Sequence, residues 1–446
     1  MTSKLSHSIR DGDGSPAPGG FAHAWRALRH RNFRLFFSGQ SISLIGTWMT
    51  RVATSWLVYR LTGSALMLGT VGFAGQIPTF LLAPFAGVLV DRIDRHKVLM
   101  WTQALAMVQS LALAALTLSH RITIGEVIAL SAFQGVINAF DMPGRQSFMV
   151  KMVENREDLS NAIAINSSMV NMARLIGPSL AGLLIAATNE GWCFLIDGIS
   201  YIAVIVSLLL MRLDKTADER HSATMIEQLR EGWTYVSGFR SLRTILQLFA
   251  LLSLMGWPFM VLMPVFAAQV LHGGPHTLGF LMGAVGVGSL ISALSLVVRK
   301  SVRGLTRTIP VAAAVFGTGL ICFGFSTSLA LSLPLMLLTG FGMMQGLTAS
   351  NTIIQTLVDE KMRGRVMSYY TMAFVGMAPF GSLLAGALAH AIGAPRTVIV
   401  SGIACILGGV WFWSRLPGLR TEMRPIYERL GIVPQSNPAV EEAAEG

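Results

Sequence analysis

Three charged side chains interrupt the interiors of long apolar runs. Arg51 falls within residues 33–60, Arg174 within 160–187 and Asp197 within 191–211. A lone carboxylate in such a setting could carry a proton, and a guanidinium could attract an anion. Each also has an ordinary reading. Asp197 could be the structural partner of an arginine, or lie close enough to the interface to stay hydrated, and against that pairing stands a cavity or gating role for the arginines. A second set is uncharged: Gln40, Gln76, Gln134, Asn138, Asn166, Asn171, Gln247, Gln345, Asn351 and Gln355. Some of these amides would face a cavity, while others would bridge helices. Two stretches are dense in charges or small residues. One is Gly87-Val-Leu-Val-Asp91-Arg92-Ile-Asp94-Arg95-His96-Lys97, the other Arg174-Leu-Ile-Gly177-Pro178-Ser-Leu-Ala181-Gly182.

Other chemistries lack their residues. There is no Gly-Lys pair, hence no phosphate loop of the Walker type, and no HExxH or GxSxG. Cys193, Cys322 and Cys405 lie far apart in apolar runs and suggest neither a metal site nor a disulfide framework. No enzyme, cofactor or metal is expected. The 24 methionines suit an adaptable apolar surface, or ordinary packing.

The elements that position these residues follow from composition. Of 446 residues, 52% are hydrophobic and 13% charged. A soluble domain carries roughly 25% charged residues, so a water-coated globule is excluded. The mean hydropathy of +0.58 excludes disorder. The 45 glycines follow no collagen period and fit close-packed membrane helices. The net charge of +11 would mark loops on one side of a membrane rather than a nucleic-acid partner.

A membrane helix needs about 20 mostly apolar residues. Twelve runs qualify: about 33–60, 65–90, 98–118, 122–143, 160–187, 191–211, 243–271, 276–298, 306–326, 329–354, 364–391 and 396–415. The predicted fold class is therefore all-α and polytopic, with twelve transmembrane helices in two six-helix bundles. The bundles cover 33–211 and 243–415, joined by a linker at 212–242 and flanked by tails at 1–32 and 416–446. Residues 1–32 lack the apolar core of a signal peptide, and 21–32 are expected as a short interfacial helix. With the N-terminus inside, 29 of the 34 Lys and Arg fall in inside segments; only Arg60, Arg121 and Arg396 lie outside. This asymmetry predicts that both tails are cytoplasmic. The halves also align weakly: Gly75–Arg95 on Gly283–Arg303, and Gly177–Leu184 on Gly381–Leu388.

These features resemble the major facilitator superfamily, and residues 87–97 resemble its signature loop, with His96 in place of the usual last basic residue. The loop's chemistry can be argued directly. Gly87 permits close helix approach, and Asp91 could accept from free N–H groups at the start of helix eleven, near Gly364. Arg92 and Arg95 would reach Asp141, with Arg145 nearby, forming a latch that shuts the cytoplasmic side. In the second half Arg299 stands where Asp91 stands in the first, so one side of the latch would carry most of the gating. Residues 174–182 resemble the superfamily's antiporter motif, with Ala181 at one of its paired glycines. That resemblance implies export driven by inward proton flow, whereas plain helix packing is the bland reading.

The stretch Gly46 to Ser64, together with Asp141-Met-Pro143-Gly-Arg145 and Arg363-Gly364-Arg365-Val366, resembles the enterobactin-exporter-like and macrolide-efflux branch. The resemblance spans about residues 30–415. It implies efflux across a bacterial inner membrane, with helices one and five lining a cavity and helix six peripheral. Two arginines facing that cavity would favour an anionic or neutral amphiphile, such as a catecholate siderophore, over a lipophilic cation. The expected partners are a small-molecule substrate, protons and the bilayer, with the protein a monomer. Proton-coupled import and a transport-dead sensor are the alternatives.

Overall fold

Lipid offers the backbone no water, so a crossing segment must satisfy its own N–H and C=O groups. The described residues do so with helices alone. A computed structural model describes residues 26–153, 158–212, 225–297 and 302–433. The expectations for residues 1–25, for most of the linker, for Arg299 and for 434–446 lie outside the described residues, as do the side chains of Asp91 and Arg92.

Twelve long helical segments follow one another. The first six are α1 (Arg31–Thr62), α2 (Ala65–Arg92), α3 (Arg95–Leu118), α4 (Ile124–Met152), α5 (Leu159–Ala187) and α6 (Glu190–Leu209). A linker helix, Met225–Gly238, precedes α7 (Arg240–Val270), α8 (Pro275–Val297), α9 (Leu305–Phe325) and α10 (Leu329–Leu357). The chain closes with α11 (Glu360–Val375 continued as Ala378–Ile392) and α12 (Ala394–Arg429). Ten of these are long and apolar enough to cross a membrane. The other two, α1 and α4, are 32 and 29 residues long and pack among the ten.

Local chemistry sets several ends. Ser64 accepts from the Met67 N–H, Thr123 and Glu126 form a reciprocal capping box, and Asn189 accepts from the Gly191 N–H. Two helices overrun their predicted ends. Helix α4 continues past 143 to Met152 through Pro143, and α12 runs past 415 to Arg429 despite Pro417 and Pro425. The α12 extension is held by tertiary packing, since Leu416, Leu419 and Met423 are buried against the start of α7. Glu422 accepts from the backbone N–H groups of Arg240 and Ser241, and so caps α7 from another helix. At the other tail, the expected interfacial helix is only a 3-10 turn, Arg26–Arg29, in its described part. It is tied to α5 by Ala27 N–H to Asn161 and by Arg26 and His30 to Asp158.

Helices α1–α6 pack mainly with one another, as do α7–α12, and the halves meet chiefly through α2 with α11 and α5 with α8. The end of the bundle that holds the α6–α7 connection is the linker end; the opposite end is the far end. One hydrophobic core joins both halves near the far end, from Met49, Leu57 and Ile185 to Phe266, Leu281 and Phe323. Near the linker end it divides. Phe33, Phe148 and Leu208 belong to a core of the first half, whereas Leu242, Ile353 and Phe412 belong to a separate core of the second.

Two helices of the second half are broken near mid-depth. Helix α7 contains π-helical turns at Leu252–Gly256 and Phe266–Val270 and prolines at 258 and 264. Helix α11 is interrupted between Val375 and Ala378, next to Pro379.

Candidate functional site

At mid-depth of the first half, α1 and α5 hold Arg51 and Arg174 around one indole. The guanidinium carbon of Arg51 lies 4.7 Å from the centre of the Trp48 ring and that of Arg174 lies 5.3 Å from it. The two carbons are therefore no more than about 10 Å apart. Gly177 allows this approach, because a Cβ there would meet the Trp48 Cβ at 2.5 Å. Among the described residues neither arginine forms an ion pair or donates a hydrogen bond, and Nε and Nη1 of Arg174 are buried without a partner. Arg51 is exposed although it lies well inside α1. A central arginine costs about 2.5–3.5 kcal/mol on insertion scales. A cation–π contact returns about 0.5–2 kcal/mol. The indole thus offsets part of the cost, and water or an anion must supply the rest.

Asp197 is not part of this pair. It is 1% exposed and sits where α1, α3 and α6 meet. Its Oδ2 accepts from Thr50 Oγ1 at 2.9 Å and Ser110 Oγ at 2.7 Å, while Oδ1 is buried without a partner. Both sequence-based alternatives, an arginine partner and a hydrated site near the interface, are corrected here. Thr50 and Arg51 are adjacent on a helix, so their side chains point about 100° apart. Thr50 turns to Asp197 and Arg51 turns away.

At the linker end Gly87 and Gly364 are not packed against one another. A Cβ added at Gly87, or at Gly364, would meet nothing within 4 Å. Asp141 is bound within its own half, by Thr102 Oγ1 (2.9 Å), Gln103 Nε2 (2.7 Å) and the Arg145 guanidinium. The expected reach of Arg95 to Asp141 is therefore not made; Arg95 opens α3 instead. The nearby start of α11 contacts the linker helix, through Arg365 to Glu231 and Tyr369 against Gly232.

The far end is closed by two matching crossings. A Cβ on Gly386 would lie 2.8 Å from the Ala65 oxygen and 2.9 Å from the Gly69 Cα. A Cβ on Gly182 would lie 2.7 Å from the Pro275 oxygen and 2.9 Å from the Gly279 Cα. Helices α2 and α11 thus touch backbone to backbone, as do α5 and α8. Gln76 adds a hydrogen bond to Ser382 across the first crossing. The Gly177-Pro178-Ala181-Gly182 stretch works here as a packing surface: Gly177 on α1, Pro178 and Gly182 on α8, with Ala181 fully buried.

The sequence profile of the transmembrane secretion effectors, a branch of the major facilitator superfamily, matches residues 22–429. The chain belongs to this family. It is 27% identical over 394 residues to the staphyloferrin A transporter of Staphylococcus aureus, covering 87% of this chain and 98% of that one. It is 26% identical over 390 residues to the multidrug efflux pump Tap of Mycolicibacterium fortuitum, covering 85% and 95%. Its fold matches a crystal structure of a bacterial homologue of the human lysosomal transporter Spinster, with a TM-score of 0.64 at 13% identity over 91% and 99% of the two chains. The efflux-branch resemblance is thereby confirmed. The protein is a multi-pass membrane transporter and not an enzyme.

In this transporter the predicted amides scatter. Gln134 donates to Asn138 within α4 and leaves its own Oε1 buried without a partner. Asn171 donates to the Ser167 carbonyl one turn back. Gln345 bridges α8 and α10 by accepting from Ser292 and Ser295, and Gln247 is exposed on α7. Sequence reasoning passed over Gly69, Gly279 and Trp257; it set Gly386 opposite Gly182 and placed Trp48 in the stretch Gly46 to Ser64, but gave neither a role. The glycines carried a faint signal, since Gly69 and Gly279 stand at equivalent places near the starts of α2 and α8.

Proposed function

We propose that this transporter is a proton-driven exporter that carries a small amphiphilic molecule out of a bacterial cytoplasm by alternating access. The linker end would face the cytoplasm, as the distribution of Lys and Arg predicts. One observation carries the reading: the core is continuous across the halves at the far end and divided at the linker end. That is the packing expected of a state open to one side and sealed on the other, with Arg51 and Arg174 partway between. Rocking the halves about that level would open the far-end crossings and bring Gly87 toward Gly364. Asp91 would then meet the start of α11 and hold the linker end shut. Export is supported by the antiporter-like stretch and by the efflux pump among the relatives.

The test uses inside-out vesicles with an acid interior and a pH-sensitive probe. Siderophores, macrolides and dyes are added singly, with Asp91→Asn vesicles as the control. Substrate-specific dissipation that the control lacks is the expected result. Folded protein that dissipates the gradient with none of the compounds refutes proton-driven export of these classes.

A further inference from the structure

Trp48 and Trp257 occupy matching places. Each lies 17 residues after the first residue of its helix, Arg31 of α1 and Arg240 of α7. Both helices start at the linker end, so the two indoles lie at comparable depth, roughly 25 Å in. Both are half-buried. Their surroundings are opposite in character.

Around Trp48 the setting is cationic, with Arg51 and Arg174 against the ring and no carboxylate paired to either among the described residues. Asp197, the acid inside α6, is engaged by Thr50 and Ser110 instead. Around Trp257 the setting is apolar. Phe374 stands edge-on to it at 4.7 Å, Phe249 lies 5.2 Å beyond, and a small recess of about 20 Å³ within the second half is lined by Phe249, Trp257, Phe316, Met343, Leu347 and Phe374. The sequence has no Asp, Glu, Lys or Arg at 244–298, 308–358, 366–395 or 397–414, so the second half offers no charge at this depth. The recess is also a built feature. The π turn Leu252–Gly256 turns Trp257 out of regular α-helical phase, and Ser253 donates to the Phe374 carbonyl near the break in α11. Broken helices near mid-depth commonly mark transporter binding sites.

We infer that the transported molecule is an amphiphilic organic anion. Its acid group docks at Arg51 and Arg174, and its aromatic or aliphatic body lies against Trp257 and Phe374. This rests on the transporter reading above and assigns the two ends of the substrate to different halves. A bound molecule would then bridge the halves at mid-depth, and a cation of the same shape would be rejected by two unpaired positive charges.

The probes are fluorescein, an anion, and rhodamine 123, a cation built on the same ring frame. Binding to the full chain in phosphatidylcholine nanodiscs is read by fluorescence anisotropy. Fluorescein should bind and rhodamine 123 should bind at least tenfold more weakly. Arg51→Gln and Arg174→Gln should each weaken fluorescein about tenfold or more, the loss of one charge-assisted contact. Arg174→Lys keeps the charge and should recover most of the affinity, which separates charge from misfolding. Trp257→Ala should weaken fluorescein without making rhodamine 123 the better ligand. Fluorescein binding no tighter than rhodamine 123, including no binding of either, overturns the inference. So does fluorescein binding indifferent to both Gln variants. Vesicle transport separates the two readings. Transport of rhodamine 123 but not fluorescein sinks the anion site and spares the exporter. Arginine-dependent fluorescein binding without flux does the reverse.

Discussion

Replacing Gly386 by Ala should push the transporter toward a state open at its far end. The new Cβ would lie 2.8 Å from the Ala65 oxygen, 2.9 Å from the Gly69 Cα and 3.2 Å from the Gly69 nitrogen. Carbon pairs settle at about 3.5–4.0 Å. All three neighbours are backbone, so no side chain can swing away; α2 and α11 must separate by several tenths of an ångström. Overpacking of this kind costs about 1–3 kcal/mol. The cost falls only where the helices touch, in the far-end-closed state. The equilibrium should therefore shift about 5- to 150-fold toward the open state. Gly182→Ala strikes the matching α5–α8 crossing, at the Pro275 oxygen (2.7 Å) and Gly279 Cα (2.9 Å), and should shift it again by a similar factor. The assay is electron–electron resonance between nitroxides on His120 and Ser328, which are exposed in far-end loops of opposite halves. Each substitution should enlarge the long-distance population, and the double variant should enlarge it most. An unchanged distribution in the double variant would refute the argument that these crossings form the far-end seal.

Other outcomes follow from the same geometry. Asp91→Asn should slow transport, because it removes the charge proposed to hold the linker end shut; transport at the wild-type rate removes the latch from the mechanism. Asp197→Asn keeps an acceptor for Thr50 and Ser110 and should leave the melting temperature in detergent nearly unchanged, whereas Asp197→Ala, which strands two hydroxyls, should cost about 1–3 kcal/mol. A stable Asn variant that has lost only proton-driven flux would instead place Asp197 on the proton path. Trp48→Leu should lower stability by about 1–3 kcal/mol, since two guanidiniums lose one ring. Glu422→Ala uncaps α7, and amide exchange at Arg240 and Ser241 should rise by about tenfold or more, while the spanning part of α12 stays protected.

Much of this protein was legible as sequence because lipid leaves the backbone few choices. An apolar run of twenty residues must be a helix, and short capped turns place its ends, so the predicted spans lie close to the described helices. The overruns of α4 and α12 were not legible. The apolar runs end at 143 and 415, and Pro143, Pro417 and Pro425 disfavour a continuing helix, so it is packing on neighbouring helices that keeps those turns wound. The unpaired acid and arginines also announced themselves, by their cost. What the sequence could not carry was the rotational phase of each helix. Helix α2 and helix α8 are apolar nearly all round, so no stripe marks an inward face. Which face turns inward decides that Gly69 meets Gly386, that Arg51 and Arg174 share Trp48, and that Asp197 finds Thr50 and Ser110 rather than an arginine. Apart from the local contact of Arg51 with Trp48, those are meetings of residues from 87 to more than 300 positions apart, fixed by how whole helices fit together and not by anything local to either one.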